Sequence, residues 1–441
     1  MNVLFDKNKS NSGSSEGEKY ILFSISWGDE EKADRSLDEL EDLLKTAGGI
    51  SVAKMVQNLN IPDRASYIGK GKVEELKQLM DSMEADAVLC DDELSPAQHR
   101  NLAEALDAKV VDRTMLILDI FAGRATTKEG KIQVEMAQLK YRASRLTGKG
   151  TALSRLGGGI GTRGPGESKL ESDRRAIQRR VDGLSREIKT MERVRKTTRK
   201  KRQDGSVPVV AIVGYTNAGK STLLNRLTSS EILAEDKLFA TLDPTTRICR
   251  LPGGQEVLLT DTVGFINKLP HELIDAFRST LEEARYADVI LHMIDASSPD
   301  MELHMEVVYD TLKDLGIKDK PIITCFNKID KVEPMTFADR ENERKIEGAE
   351  EHEHEHEHPL FIDVNSNHSL EISVKTGQGM SEFFQTLENV LRENRRYIEM
   401  TIPYGDMGKI ALIRKHGQLL EEKYVDEGVS IKAYLPPSLK I

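Results

Sequence analysis

The feature that most constrains the fold of this chain is an apolar run followed directly by a glycine-rich loop. The run Val209–Val213 reads VVAIV and is typical of a buried β-strand. It is followed by GYTNAGKST at residues 214–222, which matches the GxxxxGKS phosphate-binding loop, and then by LLNRL, which begins a helix. A strand, a phosphate loop and a helix in this order predict a doubly wound α/β domain with a mostly parallel sheet.

Each residue type in this loop has a physical role in binding phosphate. Gly214 and Gly219 let the backbone bend, so that consecutive N–H groups point at the phosphates. Lys220 is expected to neutralise phosphate oxygens, and the Ser221 hydroxyl is expected to be a ligand for Mg²⁺. The predicted nucleotide site contains every residue of the loop: Gly214, Tyr215, Thr216, Asn217, Ala218, Gly219, Lys220, Ser221 and Thr222.

A second motif, DTVG, follows the apolar segment that ends at Leu259. Its aspartate can reach Mg²⁺ through water, and the N–H of its glycine can contact the γ-phosphate. The motif adds four residues to the predicted site: Asp261, Thr262, Val263 and Gly264. The next residue is Phe265, at a position where many GTPases have a water-positioning glutamine. We therefore expect slow intrinsic hydrolysis, with an activator or another segment ordering the water, and the sequence identifies no catalytic residue.

A third motif, NKID, predicts that the base is guanine. Guanine presents its N1–H and 2-amino group side by side, and the Asp330 carboxylate can accept from both. Adenine would leave that carboxylate unpaired, which can cost a factor of roughly 10⁴ in discrimination. A further segment after another apolar run is expected to close over the base through backbone N–H groups. These two segments add seven residues, Asn327, Lys328, Ile329, Asp330, Ser373, Val374 and Lys375, and predict binding of GTP and GDP.

A threonine between the phosphate loop and DTVG is expected to sense the γ-phosphate. The segment FATLDPTTR, residues 239–247, offers Thr241, Thr245 and Thr246. A threonine that binds Mg²⁺ through its hydroxyl and the γ-phosphate through its N–H would order the loop only in the triphosphate state. Position alone does not choose among the three.

The charge of the chain is unevenly distributed. The net charge is −10, but Lys140–Arg202 contains 20 Lys and Arg against 6 Asp and Glu, a local +14 that leaves −24 for the rest. Such segregation favours a basic face that binds nucleic acid over a helix whose charges serve only solubility. Within this region Ile177, Val181, Leu184 and Ile188 form one apolar stripe, which predicts a helical hairpin with its arginines outside.

Alternating strand-like and helix-like segments after residue 18 predict an open α/β domain before the hairpin. We expect five parts: a disordered tail (1–18), an N-terminal α/β domain (19–125), a basic helical hairpin with a glycine-rich loop (126–203), a nucleotide-binding domain (204–395) and a small α+β domain (396–441).

The chain has only three scattered cysteines and no run of about 18 apolar residues, so we expect a cytoplasmic protein without a membrane span. A monomer is expected because one chain supplies the whole nucleotide site.

Together these residues resemble the HflX-type GTPases, ribosome-associated proteins related to the Obg group. The resemblance covers nearly the whole chain from about Tyr20. It is carried by GGGIGTRGPGESKLESDRR (157–175), FATLDPTTR (239–247) and DTVGFI (261–266), of which the glycine-rich stretch is the most diagnostic. The resemblance implies that Thr241 is the switch threonine and a second Mg²⁺ ligand. It also places a short segment near the nucleotide: Phe239, Ala240, Thr241, Leu242 and Asp243.

The resemblance further implies binding to the large ribosomal subunit and its rRNA, and GTP-dependent dissociation of stalled or idle ribosomes. The glycine-rich loop, with Arg155 and Arg163, would approach RNA closely, and this interpretation is favoured over a flexible connector. An alternative function is a GTP-gated assembly factor that binds RNA without splitting ribosomes. An ATP-driven RNA remodeller is less well supported, because no phosphate loop precedes Gly214.

The insert EEHEHEHEH at Glu350–His358 departs from the family and is interpreted as a solvated acidic loop rather than a metal site.

Overall fold

The computed structural model describes residues 17–146, 165–203, 207–228, 238–239, 245–268, 283–317, 320–332, 361–393 and 395–435. These residues divide into two compact units. The first contains those up to Val194 together with Leu238, Phe239 and Lys268, and the second contains the others. Among the described residues, no helix is both long and apolar enough to span a membrane.

The first unit is built on a four-stranded parallel sheet with strand order β2-β1-β3-β4. Its strands are Lys19–Ser26 (β1), Ile50–Asn58 (β2), Ala87–Cys90 (β3) and Lys109–Asp112 (β4). The helices that alternate with them are Glu30–Ala47 (α1), Lys70–Met83 (α2), Pro96–Leu106 (α3) and Arg113–Arg124 (α4). Strands β1 and β3 are buried along almost their whole length, as expected for central strands of a parallel sheet.

Helix α4 was not foreseen in the sequence, which reads TMLILDIF without a clear helical period. It begins at Arg113 because the Asp112 side chain accepts from the Met115 N–H and caps the helix. Arg113 and most of the apolar residues that follow it are buried. The helix therefore has no exposed polar face that would reveal a helical period in the sequence. A helix that is apolar all round carries no amphipathic signal, which explains the omission.

Two charged helices complete the first unit as an antiparallel hairpin, as the apolar stripe predicts. They are Lys128–Arg145 (α5) and Pro165–Gln203 (α6), of which α6 belongs to this unit as far as Val194. Arg180 on α6 binds Glu135 on α5 through Nε at 2.8 Å. The stripe residues Val181, Leu184 and Ile188 are buried. The glycine-rich stretch and its Arg155 and Arg163 lie outside the described residues.

The second unit contains a six-stranded sheet with the order β10-β9-β8-β5-β7-β6, in which only the β6–β7 pair is antiparallel. The strands are Val209–Gly214 (β5), Thr245–Arg250 (β6), Glu256–Asp261 (β7), Val289–Asp295 (β8), Ile322–Asn327 (β9) and His368–Glu371 (β10). The helices of this part are Lys220–Thr228 (α7), Met301–Asp314 (α8) and Met380–Glu393 (α9). The predicted doubly wound, mostly parallel fold is therefore confirmed. The Glu350–His358 insert lies outside the described residues.

The C-terminal part of the second unit is a small α+β arrangement, as expected. A three-stranded antiparallel sheet has the order β11-β13-β12 and packs on one helix. Its elements are Arg396–Ile402 (β11), Met407–His416 (α10), Gln418–Val425 (β12) and Gly428–Leu435 (β13). The division of the whole chain into five parts stays a prediction.

Candidate nucleotide site

The phosphate loop leaves the carboxyl end of β5 with the backbone conformation that only glycine adopts easily. Gly214 has φ +152°, and a Cβ there would lie 2.2 Å from the carbonyl oxygen of Met293. Gly219 has φ +98°, and a Cβ there would lie 2.3 Å from Asn327 Nδ2. A side chain at either position would therefore clash with the next strands of the sheet. The two glycines are needed for the loop to lie this close to Met293 in β8 and Asn327 at the end of β9.

Lys220 is held inside this loop by the backbone it follows. Its ammonium donates to the carbonyl oxygens of Gly214 at 3.0 Å and Tyr215 at 2.7 Å, and the residue is 6% exposed. Burial lowers the pKa of Lys220 to about 8, against a smaller opposing effect of the Asp261 carboxylate. A phosphate beside this ammonium would stabilise the charged form of the lysine. Lys220 is therefore positioned to bind an anion.

The DTVG motif packs directly against the phosphate loop. The Phe265 N–H donates to the Gly214 carbonyl at 3.1 Å, and the Thr216 N–H donates back to the Phe265 carbonyl at 2.8 Å. A Cβ on Gly264 would lie 2.9 Å from Thr216 Cγ2 and 3.1 Å from Lys220 Nζ. Gly264 is thus beside the predicted phosphate-binding ammonium. Phe265 is 2% exposed, so its ring is in the core.

The oxygen ligands expected for Mg²⁺ are next to each other. Ser221 Oγ donates to Asp261 Oδ2 at 2.8 Å, where β7 ends and α7 begins. A hydroxyl and a carboxylate oxygen beside a phosphate site are the hard ligands that Mg²⁺ takes, usually together with phosphate oxygens and water. These two residues therefore fit the ion. In the part of the chain that the structure describes, no cluster of three His, Cys, Asp or Glu side chains forms a separate metal site.

The predicted guanine-reading residues meet at the carboxyl end of β9. Asn327 Nδ2 donates to the Ala218 carbonyl at 2.9 Å, and its Oδ1 accepts from the Val374 N–H at 3.0 Å. Asp330 is exposed, and its Oδ1 accepts from the Ser373 hydroxyl at 2.6 Å. One asparagine thus joins the phosphate loop, the NKID motif and the Ser373–Lys375 segment.

Sequence reasoning missed two residues that hold these segments. Arg226 on α7 donates through Nη1 to the carbonyls of Val374 and Lys375, so it fixes the segment expected to cover the base. Asp295 at the end of β8 binds Lys328 Nζ at 2.7 Å. Arg226 follows Lys220 by only two turns of helix, but its partners are about 150 residues further on. No local spacing indicates such a pair.

The segment predicted to contain the switch threonine is only partly described. Phe239 is 2% exposed and lies edge-on to Phe121 of the first unit, with ring centroids 4.6 Å apart. Thr245 and Thr246 are in β6, opposite Asp261 and Thr260 of β7. Four predicted site residues lie outside the described part of the chain: Ala240, Thr241, Leu242 and Asp243. The role of Thr241 and the nucleotide contacts of the other residues stay predictions.

Comparisons with known proteins all identify the same protein family. Three family models match, described as GTP-binding GTPase N-terminal over residues 34–122, GTP-binding GTPase Middle Region over 124–202 and 50S ribosome-binding GTPase over 209–328. A protein of Lacrimispora saccharolytica named GTPase HflX is 56% identical, covering 96% of this chain and 94% of that protein. The proteins of the same name from Caldanaerobacter subterraneus subsp. tengcongensis and Escherichia coli K12 are 45% and 37% identical over 96% and 95% of this chain, and over 92% and 94% of their own.

Proposed function

We propose that this chain, which belongs to the HflX family of GTPases, binds the large ribosomal subunit in its GTP state and dissociates stalled or idle ribosomes. The observation that carries the nucleotide half of the proposal is the pair of Asn327 hydrogen bonds, to the Ala218 carbonyl and from the Val374 N–H. Because this one side chain bonds both the phosphate loop and the segment expected to cover the base, it fixes the predicted phosphate and base sites relative to each other.

The protein is a GTPase, and its own residues divide the work of holding the substrate. The phosphate loop and Lys220 would bind the phosphates, and Asp330 would accept from the guanine N1–H and 2-amino group. Arg226 would keep the Ser373–Lys375 segment in place over the base. The exposed Asp330 carboxylate supports this role, because it is accessible to the base and already oriented by Ser373.

Mg²⁺ would be held by Ser221, with Asp261 behind it through water and Thr241 as the predicted second protein ligand. When bound, the ion neutralises charge on the phosphate oxygens. The 2.8 Å contact between Ser221 and Asp261 supports this placement. Because Phe265 is buried and has no polar group, it cannot orient water. We propose that the ribosome, or a segment that it orders, supplies that function and makes hydrolysis fast.

The basic hairpin is proposed as the rRNA-binding face. Arg174, Arg175 and Arg179 are exposed on α6, whereas the apolar stripe of that helix is buried. Exposed cations on a helix suit contacts with phosphate, which position a protein on RNA without reading its sequence. The family model that matches residues 209–328 is described as a 50S ribosome-binding GTPase. We further propose that the protein works as a cytoplasmic monomer.

The test measures single-turnover GTP hydrolysis by the full chain alone, with 50S subunits and with 30S subunits. We expect slow hydrolysis alone, stimulation of at least tenfold by 50S and none by 30S. The Lys220→Ala variant should bind no nucleotide, and it controls for contaminating ribosomal GTPases. Fast hydrolysis without ribosomes, or equal rates with both subunits, would contradict the proposal. Binding to 50S without stimulation would favour the assembly-factor alternative.

A further inference from the structure

A cavity of about 750 Å³ lies inside the first unit, between α3, α4, α5 and α6. Pockets for small ligands usually measure about 300–1,000 Å³, so this space has the size of a ligand site. Much of its wall is apolar, including Ala103, Met115, Leu118 and Ile177. None of the nucleotide motifs contributes to it. The cavity therefore calls for an explanation separate from GTP binding.

One wall of the cavity contains an arginine that is paired with a buried carboxylate. Arg145 lines it with its guanidinium 4.1 Å from the ring centroid of Tyr141, and one nitrogen binds Asp112. The other two nitrogens, Nε and Nη1, are buried and have no hydrogen-bond partner in the described structure. Neither nitrogen has accessible surface, so neither is available to a ligand in the cavity.

Asp112 has no capacity left for those two nitrogens. Its Oδ1 accepts from the Met115 N–H and the Tyr141 hydroxyl, and its Oδ2 accepts from the Leu94 N–H and Arg145. An ionised carboxylate has about four lone-pair sites, and all four are in use. Arg145 and Asp112 therefore form an ion pair without net charge, and any unpaired positive charge of the cavity is at its mouth.

The mouth of the cavity adds further cations. Arg142 is exposed, lines the cavity and forms no ion pair with a described residue; Arg100 on α3 also lines the cavity but pairs with Glu104 at 4.0 Å. His99 also lines the wall, but its Nε2 bonds the Val110 carbonyl, and burial lowers its pKa, so the ring is neutral at pH 7. Two carboxylates, Asp119 and Asp173, are the acidic members of the lining. One anionic group fits beside the arginines, whereas a chain of phosphates would meet these carboxylates.

We propose that the cavity binds a small molecule with an aromatic or branched apolar body and a single carboxylate or sulfonate group. The body fills the space among Ala103, Leu118 and Ile177, and the anion lies at Arg142, which is exposed and forms no ion pair with a described residue. Apolar burial supplies most of the affinity, and the cations select a charged ligand over its neutral analogue.

The experiment uses the full chain and two fluorescent probes that differ by one charge. The probes are 1-anilinonaphthalene-8-sulfonate and N-phenyl-1-naphthylamine, which lacks the sulfonate. We expect one molecule of the sulfonate to bind per chain, more tightly than the neutral probe. Sodium tripolyphosphate should not displace it. Displacement by tripolyphosphate, or a neutral probe that binds as tightly, would overturn the single-anion assignment.

Two exposed positions separate the apolar and ionic parts of the proposal. Ala176→Trp places a ring in the cavity mouth and should weaken both probes at least tenfold, whereas Gln178→Trp, on the opposite face of α6, should weaken neither. Arg142→Gln should weaken the sulfonate about fivefold, equivalent to about 1 kcal/mol, and leave the neutral probe within twofold. All three variants should keep the native circular dichroism spectrum and thermal unfolding curve, which checks that the first unit, where the cavity lies, is folded. If Ala176→Trp and Gln178→Trp behave alike, the probes bind elsewhere and the proposal fails.

Discussion

Asn327 Nδ2 donates a hydrogen bond to the backbone carbonyl of Ala218 over 2.9 Å, so the guanine motif is bonded to the phosphate loop. The same side chain accepts from the Val374 N–H at 3.0 Å. Its amide is buried, and replacing it with alanine would leave a carbonyl and an N–H without partners. Recognition of the base and of the phosphates should therefore fail together when this residue is removed.

Asp330→Asn should move selectivity from guanosine to xanthosine nucleotides. Xanthine has a carbonyl where guanine has its 2-amino group, so it pairs with an amide and repels a carboxylate. We expect GDP affinity to fall at least 100-fold and that for xanthosine diphosphate to rise by a similar factor, as measured by calorimetry. Ser373→Ala is the comparison: it removes the hydroxyl that donates to Asp330 and accepts from the Thr376 N–H but keeps the carboxylate, so it should weaken GDP binding without moving selectivity to xanthosine nucleotides. Unchanged selectivity in Asp330→Asn would show that another residue reads the base.

The affinity for GDP should fall as the pH rises above 8. Burial lowers the pKa of Lys220 to about 8 in the ligand-free protein, and phosphate binding favours the protonated ammonium. Above pH 8 the free protein must therefore take up a proton when GDP binds, and this requirement lowers the affinity for GDP. We expect the dissociation constant to rise about fourfold between pH 7 and pH 8.5.

Calorimetry in two buffers of different ionisation enthalpy checks the origin of that change. At pH 8.5 the heat difference should correspond to uptake of about three-quarters of a proton per GDP bound. A proton uptake near zero, together with an affinity independent of pH over this range, would show that Lys220 is fully charged before GDP binds.

Phe265→Gln should not restore a fast intrinsic GTPase. Phe265 is 2% exposed, and its backbone is bonded on both sides to the phosphate loop. A glutamine there would point into the core, lose apolar contacts and bury an amide. We expect a loss of about 2–4 kcal/mol in the free energy of unfolding, measured with urea, and a single-turnover rate within twofold of the native protein. A tenfold faster rate would show that the side chain at this position reaches the attacking water.

The strand ends and their motifs could be predicted because the relevant signals are local. The Val209–Val213 strand, the phosphate loop and NKID each occupy a few adjacent residues, and parallel strands bring their carboxyl ends together. The hairpin was predictable for the same reason, since one stripe on α6 indicates its buried face.

The remaining features depend on pairs that are distant in sequence. Arg226 and Val374 are joined only because the fold brings α7 next to the segment that follows β10. Asp363 accepts from the hydroxyls of Tyr309 and Thr324, which lie on α8 and β9. Helix α4 is buried over most of its length and shows no helical period. In each case tertiary packing selects the partner, and the local pattern contains no trace of it.

Neutralising arginines on the hairpin should weaken ribosome binding without changing GDP affinity. The best pair is Arg174→Gln with Arg179→Gln, because both residues are exposed. Arg180 is unsuitable, since it also binds Glu135 and supports the hairpin. If both arginines contact phosphate, the slope of log affinity against log salt should decrease by about 2. Filter binding to 50S subunits at several salt concentrations measures it.

A matched variant tests whether position or total charge matters. Arg250→Gln with Lys313→Gln removes the same charge from exposed sites on β6 and α8. This control should bind 50S as the native protein does. Equal losses in both double variants would mean that net charge, rather than the hairpin face, governs binding.

The most direct test of the central claim is the fate of 70S ribosomes on a sucrose gradient. Purified 70S particles are incubated with the full chain and GTP, a non-hydrolysable GTP analogue or GDP. The account predicts that GTP and the analogue convert the 70S peak into 50S and 30S peaks, with the protein in the 50S fractions, and that GDP leaves the 70S peak intact. A 70S peak unchanged in all three nucleotide states, with the protein still bound to it, would contradict the account.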